Sequence, residues 1–342
     1  MFDRADDRLA SDYGRFWYLW SMDNQQTKSI LTVALMAAFA DGLKDERERE
    51  AVRHLAETLG AAGHIDLPAW YRDVLLSKPD LSEVVKPLDS PGLRQYAYEM
   101  AVGVANADGS QNAAETAFLA RLGAALGLLP ENANATVQQA SAIASAANDL
   151  PPASPPTTPA ATGTVLGKAS LSEAEMDKTI LTASITNAAL ELLPESIASM
   201  AIIPLQMRLV YRIGKAHGYE MDSSHARDFI ATLGVGLTSQ YVEQFGRKLL
   251  GGLLGGIGGG LGRAVGRQAA SSGLSFATTY AIGRVAQRYY AGGRTLDTAT
   301  LKETFTSLLA EARGLAPKYQ SQIEHAAQTI DTRNLVSLVR QG

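Results

Sequence analysis

Apolar residues recur at intervals of three and four along most of the chain, the period of helices that bury one face. Residues 9–20 form the first such stretch, with Tyr13, Phe16, Trp17 and Trp20 on a single stripe. Apolar helices are predicted over Ile30–Phe39 and Leu93–Ala105. Another contains Phe118, Leu119, Leu122 and Leu126. Asp66-Leu67-Pro68 reads as a helix start inside a connector, Ala61–Pro91, that holds four prolines. Ser172 and Glu175 have capping-box spacing and open a helix that Pro194 ends near Leu193. Pro204 suits the first turn of a helix over Leu205–His217 that carries Arg208 and Arg212 and closes on Gly218. A further helix opens at Ser223-Ser224 and is expected to run through Phe229, Leu233 and Leu237 toward Phe245. Amphipathic helices over Asp297–Leu309 and Ile323–Val339 complete an all-α pattern.

Within this pattern one phrase occurs twice. Ala40-Asp41-Gly42 with Glu48 returns, 67 residues on, as Ala107-Asp108-Gly109 with Glu115. Ala34 then matches Ala101, Leu55 matches Leu122, and Leu59-Gly60 matches Leu126-Gly127. Each copy reads as a helical hairpin. The glycine permits a left-handed turn as the first helix ends, and the glutamate falls where the next helix's positive end favours a carboxylate. Asp-Gly-x5-Glu is also the second half of an EF-hand loop. Here the first ligand positions hold Ala37 and Val104 and the third hold Phe39 and Asn106, so a full calcium shell cannot close. Two readings stay open. The acids Asp41, Glu48, Asp108 and Glu115 serve as caps and turn formers, or pairing of the hairpins gathers them round a divalent cation such as calcium or magnesium.

These residues resemble the TerB-like family, the helical domain of tellurite-resistance TerB that also occurs at the front of the DjlA co-chaperone. The likeness spans about residues 25–130. It implies a bundle of two such hairpins, a link to divalent metal binding and a setting of tellurite, metal or envelope stress. Lys44 and Gln111 stand where the family usually has an aliphatic residue, three positions after the aspartate.

From Asn132 to Gly167 the one charged residue is Asp149, and residues 151–159 contain five prolines. Such a segment is extended and semi-rigid. Three parts follow: a TerB-like helical domain over 1–130, an Ala/Pro-rich linker over 131–170 and a Gly-rich helical domain over 171–342. Charge divides along the same line. Residues 1–150 carry 21 acids against 13 bases, the remainder 14 against 18. The acidic front suits a cation or a basic partner, the basic back an anionic surface.

Between Gly251 and Gly262 stand eight glycines in ladders of four, flanked by Arg247, Lys248, Arg263 and Arg267. So much glycine weakens a helix in water, whereas small residues every fourth position let helices approach closely in a membrane or a packed core. The charge-free runs Leu249–Gly262 and Gln268–Gly283 have 14 and 16 residues, short of the ~20 that cross a bilayer. A hairpin in one leaflet, a tight helical core and a glycine loop remain open, as does homo-oligomerisation through these helices.

Across Asn187–Tyr290, through Ile202-Ile203-Pro204-Leu205-Gln206-Met207-Arg208, Val210-Tyr211-Arg212-Ile213-Gly214, His217-Gly218 and the Gly-rich hydrophobic pair beyond, the chain resembles the domain of unknown function 697. That family occurs in YcjF-like inner-membrane proteins and beside small GTPase domains. The resemblance implies membrane association or partnership with a separate GTPase, and no catalysis.

Enzyme chemistry finds little footing. Cysteine is absent, the five histidines have unrelated spacings and no serine sits on a nucleophile elbow. Gly163-Thr164-Val165-Leu166-Gly167-Lys168 misses a phosphate loop by one residue between its glycines and puts Ala169 where a hydroxyl must hold magnesium. The bases are too scattered for nucleic acid. An acidic, non-apolar N-terminus argues against a secretory signal. The expectation is therefore a non-enzymatic, membrane-peripheral adaptor or stress-response protein, cytoplasmic and associated with the inner membrane. It would bind protein partners and a membrane surface, and a divalent cation through the acidic repeat. The alternatives are a regulator of a separate GTPase and a membrane-active effector.

Overall fold

The computed structural model describes residues 23–40, 67–77, 79–106, 112–148, 170–193, 196–234 and 261–341. The described residues are helices and their connections, with no strand among them, as the all-α pattern requires. The helices are α1 (Asn24–Ala38), α2 (Leu67–Ser77), α3 (Leu81–Val85), α4 (Pro91–Ala105), α5 (Ala113–Ala125), α6 (Pro130–Asn148) and α7 (Glu173–Leu192). They continue with α8 (Ser196–Ser199), α9 (Ile202–Ala216), α10 (Ser223–Thr232), α11 (Leu261–Ala291), α12 (Thr298–Leu315), α13 (Gln320–Thr329) and α14 (Leu335–Gln341). Two compact units emerge: residues 1–141 with 238–268, and 142–237 with 269–342.

The first unit is built on the repeat. A capping box starts α1: Asp23 Oδ1 accepts from the Gln26 N–H at 2.7 Å, and Gln26 Oε1 accepts from the Asp23 N–H at 3.1 Å. Ser90 caps α4, and Pro91 takes the first helical position, where no N–H is needed. Both helices are apolar on almost every side, the mark of a central helix. From α1, Ile30, Val33 and Ala34 are buried; from α4, Tyr98, Ala101 and Val102. α1 and α4 pack on each other, so Ala34 and Ala101, counterparts in the repeat, both lie in the core. α5 packs on α4 through Phe118, Leu119 and Leu122 and ends at Gly127, whose φ of +67° makes the left-handed cap.

The connector is more ordered than its prolines suggest, since it contains α2, opening where Leu67-Pro68 predicted, and α3. Residues 131–148, the head of the expected linker, belong to helix α6. Alanine, the best helix former, outweighs the low charge there. The proline tract 151–159, the aromatic stripe of 9–20, residues 163–169 and the glycine ladder up to 260 lie outside the described residues.

In the second unit the Ser172–Glu175 capping box is present, with Glu175 Oε2 accepting from the Ser172 N–H at 2.9 Å. α9 closes on Gly218 at φ +82° as expected. α10 departs from expectation. It stops at Thr232, because Gly234 adopts φ +81° and terminates it well short of Phe245. α7 packs on α9 and α13, and α9 on α10 and α14. No described helix is long and apolar enough to cross a membrane.

Candidate functional site

Of the four acids singled out by the repeat, Glu115 is described; Asp41, Glu48 and Asp108 lie outside the described residues. Glu115 stands at the third position of α5, and its Oε2 accepts from the Asn112 N–H at 2.8 Å. Asn112 Oδ1 in turn accepts from the Glu115 N–H at 2.9 Å. This is a reciprocal capping box. Among the described residues no group of three or more His, Asp or Glu is placed to hold a metal ion.

Acid–base side chains also meet at the start of α10. Asp222 Oδ1 accepts from the His225 N–H at 2.9 Å and the Ser224 Oγ–H at 2.7 Å, and faces His225 Nδ1 at 2.7 Å. These bonds, the backbone one foremost, hold the Asp222 carboxyl down at about 2. A nucleophilic serine would have to give its proton to the imidazole. Here the Ser224 hydroxyl donates its hydrogen bond to Asp222 instead, and the trio caps a helix.

Two features have the geometry of a site. The first is a groove in the first unit, with a cavity volume of about 280 Å³. α5 supplies Leu119, Ala120, Gly123 and Ala124, α6 supplies Ala133, Asn134 and Val137, and Tyr98 of α4 forms the floor. Burial pushes the Tyr98 hydroxyl above its ordinary pKa. The groove lies in a face almost without charge. On α5, Ala113, Ala114, Ala117, Ala120, Ala124 and Ala125 are exposed. From 113 to 148 the charged residues are Glu115, Arg121 and Glu131 alone. Exposed Leu129 stands beside the groove-lining Leu128 and Pro130.

The second feature is a polar seam inside the second unit. Ser184, Asn187 and Glu191 share one face of α7, at helical spacings of three and four. Asn187 Nδ2 donates to Thr279 Oγ1 of α11 at 3.0 Å, and Gln206 Nε2 of α9 donates to the same oxygen at 3.1 Å. All three are buried: Asn187 and Thr279 at 0 % exposure, Gln206 at 1 %. Ser184 satisfies itself on the Ile180 carbonyl at 2.7 Å. Among the described residues of the second unit, Asn187 Oδ1, Gln206 Oε1, Ser199 Oγ and Ser275 Oγ are buried without a hydrogen-bond partner.

Neither feature was singled out from the sequence, although signals exist. Asn187 and Gln206 are polar residues at positions where helical periodicity asks for apolar ones, and the α5–α6 stretch is conspicuously poor in charge.

Residues 19–140 match the family described as Protein of unknown function (DUF533), a TerB-like family, which brackets the resemblance noted over 25–130. No curated protein and no solved structure shows significant similarity to the chain. The part of the chain that holds α1, α4 and α5 is thus similar to a TerB-like family of unknown function.

Proposed function

We propose that the chain is a non-enzymatic adaptor whose α5–α6 groove holds an amphipathic helix of a partner protein. The observation that supports this reading is the groove itself: an apolar cleft floored by Tyr98, set in a helical face of exposed alanines with three charges along its whole length. Small side chains let a second helix come close, and its apolar residues would fill the cleft, the helix-in-groove mode of recognition. The basic second half would rest on the anionic cytoplasmic face of the inner membrane. The likeness of residues 202–218 to the domain of unknown function 697 adds a separate GTPase as a class of partner. TerB-like similarity supports a setting in tellurite, metal or envelope stress.

A photoreactive amino acid placed at Ala120 or Ala124 tests the groove in living cells. A discrete cross-linked species of one partner mass is expected from both positions. It should vanish when Ala133→Glu puts a charge in the cleft, and be missing when the probe sits at Lys302 in the second unit. Uncross-linked protein alone, or the same species from Lys302, rules the groove out.

A further inference from the structure

We infer that the polar seam between α7, α9 and α11 is a binding site for a dehydrated alkali cation. The inference is independent of the adaptor reading, since it concerns the interior of the second unit.

Hydrogen-bond accounting is the starting point. The Thr279 hydroxyl has two lone pairs and one hydrogen. The amides of Asn187 and Gln206 fill both lone pairs. The single hydrogen can reach one carboxamide oxygen at most, so at least one stays without a donor. Turning either amide round leaves an N–H unpaired instead, and the deficit persists. Ser199 Oγ and Ser275 Oγ add to it. Buried polar atoms left unpaired are strongly disfavoured and rare, so a set of them on adjoining helices points to a guest.

Helix register gathers the set. Arg284 of α11 pairs with Asp177 of α7, Gly283 stands beside Ile180, and Thr279 bonds Asn187. The two helices therefore run antiparallel. The next turn brings Ser275 level with Glu191, which lies on the Asn187 face of α7 and is 1 % exposed. Ile202, whose carbonyl accepts from Asn187 Nδ2 at 3.5 Å, follows closely on Ser199.

The donor set selects the guest. Carboxamide and hydroxyl oxygens are hard, neutral ligands of the kind that replace the water shell of potassium or sodium. A divalent ion asks for several carboxylates, and the unpaired oxygens of the seam are carboxamides and hydroxyls. Water could also donate to these oxygens, but it would show no preference among salts.

Calorimetry of the full chain in potassium, sodium, rubidium or choline chloride at equal ionic strength separates the two. A fitting alkali cation should raise the melting midpoint over choline by about 3 °C or more, and saturably. The near-isosteric Gln206→Met, which keeps the volume and removes one ligand oxygen, should weaken the apparent cation affinity at least tenfold. Asn187→Leu with Gln206→Met should melt identically in every salt. Crystals grown in rubidium chloride supply a readout that needs no variant: an anomalous peak in contact with Asn187 Oδ1 or Gln206 Oε1. Equal melting in all four salts, or an ordered water with no rubidium signal in the seam, overturns the inference.

Discussion

At Glu115 one carboxylate meets two demands that spacing cannot separate. A metal loop and a helix cap each want an acid a few residues past a glycine turn, so the repeated Asp-Gly with its later glutamate announces both. The structure gives Glu115 a capping partner, the Asn112 N–H. Glutamine also serves at this position of a capping box. Glu115→Gln should therefore leave stability nearly unchanged, while Glu115→Ala should cost about 0.5–1 kcal/mol, the worth of the lost cap and of a charge at the helix start. Urea titration of both variants, with calcium and magnesium calorimetry alongside, checks it. If Glu115→Gln abolished a heat of cation binding seen with the parent, Glu115 would be a ligand as well as a cap. Asn187 and Gln206 were less legible. A lone polar residue in an apolar run looks like tolerated noise until the register of three helices brings it to Thr279.

Elements were legible where the chain punctuates them. Ser172, Leu67-Pro68 and Gly218 each mark a boundary that the structure keeps. α10 misled because its apolar spacing continues past Gly234, and one left-handed residue is enough to stop a helix that periodicity would extend. α6 misled in the opposite sense, since low charge resembles a linker while alanine builds a helix. The α7–α11 crossing turns on a third glycine. A Cβ on Gly283 would stand 2.9 Å from Ile180 Cγ2, 3.0 Å from Ile180 Cγ1 and 3.2 Å from Leu209 Cδ2. Ile180 is branched at its β-carbon and fully buried, so it cannot swing aside. Gly283→Ala should thus be net destabilising by about 1–3 kcal/mol from overpacking, even though alanine favours helix by about 1 kcal/mol. Adding Ile180→Ala should recover part of that loss in a double-mutant cycle. A Gly283→Ala protein as stable as its parent would mean that the helices stand further apart than the packing shows.

At the scale of the whole molecule, the chain divides its charge: residues 1–150 carry an excess of acids and the remainder an excess of bases. If the basic half attaches to a membrane as proposed, an electrostatic hold and a shallow apolar one can be told apart. These two modes respond oppositely to salt. Charge attraction between Lys or Arg and anionic lipid contributes about 1 kcal/mol per residue near the surface and is screened within a Debye length. Apolar burial in the interface is indifferent to screening or slightly strengthened by it. Flotation of the full chain with vesicles of phosphatidylglycerol and phosphatidylethanolamine should carry it to the top of the gradient at low salt. Neutral phosphatidylcholine vesicles should leave it at the bottom. A 0.5 M sodium chloride wash then divides the modes: release means that the bases alone hold it, and retention means that apolar residues have entered one leaflet. Protein that stays at the bottom with anionic vesicles at low salt removes the membrane from the proposed function and leaves its protein-binding part, the α5–α6 groove first, to stand by itself.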